Sequence, residues 1–130
     1  MNIHVYRIEH PSNSIGPYQT GSHEEIASAH PKEWNAWLGL FYDKHDAANG
    51  RPTLGAENLA FVFEDFRCAC LNLDDLRWWF DGALDWLHVL GFQIATYEVP
   101  DNLIARGRKQ IVFDWSAAKL LTREPILESN

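Results

Sequence analysis

Basic residues are scarce in this 130-residue chain. It has 11 Lys and Arg against 18 Asp and Glu, a formal charge of −7. Nucleic-acid binding draws most of its free energy from neutralised phosphates, so no direct nucleic-acid partner is expected. The same charge keeps a small protein soluble, and it also suits a basic protein partner or a surface that imitates nucleic acid. Cysteine is scarcer still: Cys68 and Cys70 are the only two. One residue apart in a strand, they would share a face, a spacing at which a good disulfide rarely closes. Two thiols alone make no zinc site. The six histidines (His4, His10, His23, His30, His45, His88) are scattered, and no pair has a metal-ligand spacing with acidic partners. No metal is therefore expected, and the cysteines read as small core residues. No apolar run approaches twenty residues and there is no signal-peptide pattern, so no membrane association is expected and the setting reads as cytoplasmic. A phosphate-binding glycine loop, a Gly-x-Ser-x-Gly elbow and a His-Glu-x-x-His helix are all missing. Internal repeats and low-complexity segments are missing too.

Aromatic and aliphatic residues are plentiful. Six Trp and seven Phe sit in a chain that is 46% hydrophobic, enough to build one core over residues 1–130 without disulfide or metal. The organising stretch is Asn72–Asp114. Asn72 can cap a helix whose first turn carries Asp74 and Asp75. Leu73, Leu76, Phe80, Leu84 and Leu87 recur at helical spacing, with Gly82 a point of kink or break and Gly91 a stop. Phe92–Val99 predicts a strand with Phe92, Ile94, Thr96 and Glu98 on one face and Gln93, Ala95, Tyr97 and Val99 on the other. A long connection over residues 101–107 leads to a strand at 109–113. Upstream, Ile3–Glu9 alternates as a first strand. Arg7 is its odd member, either an edge residue reaching solvent, the reading favoured, or a buried cation aimed at an anion. The loop from His10 to Tyr18 is rich in turn formers. Ser22 and Glu25 form a capping-box pattern for a short helix, and Pro31 opens a second helix carrying Trp34, Trp37, Leu38 and Phe41. The run Leu59–Phe63 leans to strand, Arg67–Leu71 is a short strand, and Lys119–Ile126 a last one before a frayed end at 128–130.

Six stretches carry a resemblance: Val5–His10, Ile15–Tyr18, Leu76–Phe80, Leu90–Phe92, Tyr97–Val99 and Gly107–Asp114, with a weaker match over about 33–63. They resemble a family of small uncharacterised phage and prophage proteins, which implies an accessory protein acting in the cytoplasm of a bacterial host. On that resemblance the expected role is to bind and inhibit a host protein or complex, an antiviral defence complex of the CRISPR kind being one target. Trp34, Trp37, Asp43 and Asp46 are the expected partner-binding residues, and no cofactor is needed. The order of first strand, Gly-Pro loop, helix and paired late strands also resembles the ADP-ribosyltransferase fold. That likeness implies the alternative, an enzyme using NAD: Arg7, Tyr18 and Tyr97 would bind the cofactor, and Gln110 with Glu98 would do the work of the usual glutamate. Gln110 departs from the family's pattern, because an amide neither acts as a base nor supplies negative charge to an oxocarbenium-like state. The fold expected is α+β, a mixed sheet packed with helices in an ADP-ribosyltransferase-like layout.

Overall fold

Alternation in the sequence becomes strand pairing. The computed structural model describes residues 1–60 and 62–127. In chain order its elements are β1 (Asn2–Glu9), α1 (Glu24–Ala29), α2 (Pro31–Lys44), β2 (Phe66–Ala69), α3 (Leu73–Trp79), α4 (Leu84–Val89), β3 (Gln93–Pro100), β4 (Ile104–Arg106), β5 (Ile111–Asp114) and β6 (Lys119–Pro125). β3 lies between β1 and β6, and β5 lies between β2 and β4, every pairing antiparallel. The α+β class is as read from the sequence, but the strands form two antiparallel three-stranded sheets rather than one mixed sheet. Tyr6 and Cys70 exchange two backbone hydrogen bonds of 2.8 Å, which stitch β1 to the end of β2.

Sheet β1-β3-β6 has a core on each face. Ile8 and Ile94, paired across β1 and β3, pack with Phe92, Trp34, Trp37, Leu76, Trp79 and Leu87 beneath the helices. The opposite face carries Val5, Ala95, Tyr97 and Val99, which pack on Ala69, Ile111 and Phe113 of the second sheet. Burying a large apolar side chain is worth about 1.5–3 kcal/mol, so the two-sided burial of β3 makes it the centre of the fold. No helix among the described residues is long and apolar enough to cross a membrane.

Local signals act where the sequence placed them. Asn72 Oδ1 accepts the Asp75 N–H at 2.7 Å and opens α3. Gly82, at φ +86°, separates α3 from α4, a conformation that a β-carbon would strain. Other expectations change. Ser22 caps nothing: it lies in a 3-10 turn, and α1 starts after His23 without a side-chain cap. Residues 59–60 and 62–63 form no strand; Phe61 lies outside the described residues. The connection at 101–107 contains a further strand, β4, recruited by pairing with β5. Residues 128–130, read as frayed, also lie outside the described residues.

Candidate functional site

A cleft of about 350 Å³ opens between β1, the loop 15–22, β2 and the α3 end. Its floor is apolar, formed by Ile8, Leu76, Trp79 and Phe80, and Tyr18 makes one wall. Tyr18 is fixed from three sides. Its oxygen accepts the Trp79 indole N–H at 2.6 Å and meets His45 Nδ1, and its ring stacks parallel to Trp37. The phenol has one proton, so with Trp79 donating to it, it donates to His45. His45 is then the neutral tautomer with its proton on Nε2, an atom left buried without a partner. Burial, helped by the nearby Arg51 charge, lowers the His45 pKa to about 4, and burial raises that of Tyr18. This trio is a rigid wall rather than a proton relay at neutral pH.

The charged end of the cleft is built by β1. Arg7 is 5% exposed, which overturns the solvent-edge reading. It is buried because its strand face is covered by the second sheet and the 15–22 loop. Arg7 Nε lies 3.0 Å from Oε1 of Glu9, a fully buried carboxylate two residues along the same face. Glu9 accepts from Arg123 Nη2 at 2.7 Å and Nε at 3.1 Å, and from the Tyr97 hydroxyl at 2.8 and 2.9 Å. Burial and the carboxylate together push the Tyr97 phenol up to about 12, so it stays a neutral donor. The bonds to Glu9 raise the Arg123 pKa further. Two guanidinium groups therefore share one carboxylate, an excess of one positive charge. Arg7 Nη1 is buried with no hydrogen-bond partner, and Nη2 sits beside Gly16, where a β-carbon would lie 3.1 Å away.

Gln110 lines the same cleft as Arg7 and Tyr18. Its amide donates to Pro52 O at 2.8 Å and to Glu57 Oε1 at 2.7 Å, while Glu57 Oε2 accepts the Arg108 N–H at 2.6 Å. Glu98 is not there: it pairs with His4 on the face of the sheet opposite Arg7 and accepts from Asn2 Nδ2. Tyr97 shares the Arg7 face, but its hydroxyl is spent on Glu9. Among the described residues lining the cleft there is no carboxylate. Both cysteines are free, and burial pushes the Cys70 thiol up to about 12. Among the described residues no group of three His, Cys, Asp or Glu side chains is placed to hold a metal ion.

The partner-binding residues divide. Trp34 and Trp37 are buried in the helical core, so a partner cannot reach them in this fold. Helical spacing alone does not tell a core tryptophan from a surface one. Asp43 and Asp46 are exposed, and Asn49 donates to the Asp46 carboxylate from its backbone and side chain, which lowers its pKa. The surface aromatics beside them are Tyr42, 73% exposed, and Trp78, 38% exposed. Arg51 joins this region: it donates to Lys44 O, Trp78 O and Trp79 O, tying the C-terminal ends of α2 and α3 together. Arg51 and Lys109 lie 4.8 and 4.9 Å from the Trp78 ring centre.

The family model described as Bacteriophage T4 Y00F protein matches residues 1–127 of the chain. Neither a curated protein nor a solved structure matches it, so the likeness to ADP-ribosyltransferases has no support from a neighbouring fold.

Proposed function

Because the chain belongs to this bacteriophage T4 protein family, we propose that it is a phage accessory protein that binds, and thereby inhibits, a protein of the bacterial host. The observation that carries this reading is the surface where α2 and α3 end. Tyr42 and Trp78 stand exposed among Asp43, Asp46 and Asp81, on backbone that Arg51 holds in place. Exposed aromatic residues are side chains that dominate interface energies, because they bury large area at small entropic cost. Arg51 and Lys109 lie against the Trp78 ring, and the exposed Asp43, Asp46 and Asp81 beyond them favour a basic partner surface and speed its approach. A defence complex of the CRISPR kind is one host target with such a surface.

The test is capture from a bacterial lysate with wild type, Trp78→Ala and Asp43→Lys, each checked for an unchanged unfolding curve. A stoichiometric partner retained by wild type and lost by both variants supports the reading. Absence of a stoichiometric partner, or equal capture by the variants, overturns it.

A second reading rests on Arg7, Gln110 and Tyr18 sharing one cleft. In it the cleft takes part of an NAD molecule. With no carboxylate among the described lining residues and Glu98 on the far face, such a site binds without the base that ADP-ribosyl transfer needs. Calorimetry with NAD beside the Arg7→Ala variant tests it: no binding to wild type removes both the cofactor and the transferase.

A further inference from the structure

The excess positive charge at Arg7 has a chemical complement, and the cleft limits what it can be. A buried cation without its own counter-charge is costly, and an anion that reaches it removes that cost. The charge sum is Arg7 and Arg123 against Glu9 alone, with Tyr97 neutral, so one negative charge completes the group. Arg123 is the more exposed of the two cations and is hydrogen-bonded to Glu9 and Ser14. Arg7 lines the cleft, and its Nη1 is buried without a hydrogen-bond partner. Arg67, the other arginine at the cleft, already has Asp65 at 3.1 Å. No described carboxylate in the lining repels an incoming anion. The floor beside Arg7 is apolar, over Ile8, Leu76, Trp79 and Phe80, with Gln19, Ser22, Arg67 and Gln110 elsewhere in the lining, and the volume of about 350 Å³ is at the small end of ligand pockets.

We infer that this cleft is a binding site for a small monocarboxylic acid with an apolar, ring-sized body, its carboxylate on the Arg7 guanidinium and its body on the floor by Trp79 and Phe80. A planar carboxylate matches the two ends of a guanidinium fork. A phosphate monoester carries about −1.5 to −2 at neutral pH, more than the group requires. A dinucleotide brings two phosphates and a body larger than the cleft. The lining includes neither Tyr42 nor Trp78, and the inference does not depend on the host-protein reading.

The experiment is calorimetry and ligand-observed NMR on the whole chain at pH 7. The probes are phenylacetate, indole-3-acetate and octanoate, with phenylacetamide as the uncharged isostere of the first, and phenyl phosphate and NAD as competing anions. The expected result is that at least one acid binds and that phenylacetate binds about tenfold more tightly than its amide, the scale of a charged hydrogen bond. Arg7→Met should abolish the preference of the cleft for phenylacetate over its amide, and a circular-dichroism spectrum and unfolding transition like those of wild type should show that the fold is intact. Gly16→Ala, which crowds Nη2, should weaken the acid with the amide as its control. The inference is overturned if none of the three acids binds, if acid and amide bind alike, if Arg7→Met keeps the acid preference, or if phenyl phosphate or NAD is the tighter ligand.

Discussion

Glu9→Gln is the sharpest perturbation of the charged cluster. The carboxylate is fully buried and is the only anion shared by Arg7, Arg123 and Tyr97 among the described residues. Glutamine keeps the size but removes the charge, and its NH2 group must face donors. Two guanidinium groups then remain without a counter-charge. Breaking a buried pair in this way costs about 3–5 kcal/mol, a large part of the roughly 5–15 kcal/mol that a domain has. Urea unfolding is the assay. With a slope near 1.5 kcal/mol per molar, the midpoint should fall by about 2–3 M. Arg7→Met should behave differently, because it leaves Glu9 with Arg123 and Tyr97 and brings the cluster to neutrality; its cost should stay below about 1.5 kcal/mol. The double variant should then be more stable than Glu9→Gln alone by about 1 kcal/mol or more, since it removes one of the stranded cations. Additive losses, or a Glu9→Gln midpoint within about 0.5 M of wild type, would refute the charge count.

Lowering the pH should destabilise the protein through His45. Its folded pKa of about 4 lies below the ordinary 6.5, so the unfolded chain takes up the proton first; stability is full above about pH 6.5 and falls towards pH 4. Allowing for partial burial, the loss is about 1–3 kcal/mol, and thermal melts of His45→Gln should show a flatter pH slope over that window than wild type. Gly107→Ala would put a β-carbon 2.6 Å from Glu57 Oε2 and push aside the carboxylate that holds Arg108 N and Gln110. Denaturant melts should show a loss of about 1–3 kcal/mol, and a midpoint equal to wild type would count against the Glu57 brace. Asn72→Ala removes the cap of α3 and should cost about 1 kcal/mol in the same assay, with Asn72→Asp close to neutral.

Much of the fold was legible because its signals are local. The alternation of β1 and β3 assigns faces, and the structure puts Ile94 and Tyr97 in different cores as that alternation requires. The cap at Asn72 and the break at Gly82 are properties of a few consecutive residues. The Ser22–Glu25 pattern failed for the same kind of reason in reverse: the 3-10 turn ahead of α1 took Ser22 out of the cap position. β4 left no signal of its own, since three residues become a strand only when β5 lies beside them. The Glu9 cluster was half visible. Arg7 and Glu9 share a face by simple alternation, but Arg123 is 114 residues from Glu9 and nothing local points to it.

What the sequence by itself determined is the kind of element at most positions, the faces of the strands and the surplus of acid over base, because each follows from neighbours in the chain. What only the tertiary structure decided is which faces are covered and by whom. The pairing of β3 with β6 sets Arg123 opposite Ala95, while that of β1 with β3 sets Arg7 opposite the same residue from the other side. The second sheet and the 15–22 loop then close over them. Burial turns an arginine that could have reached solvent into the cation of a cleft, and the packing of α2 turns two tryptophans that could have met a partner into core.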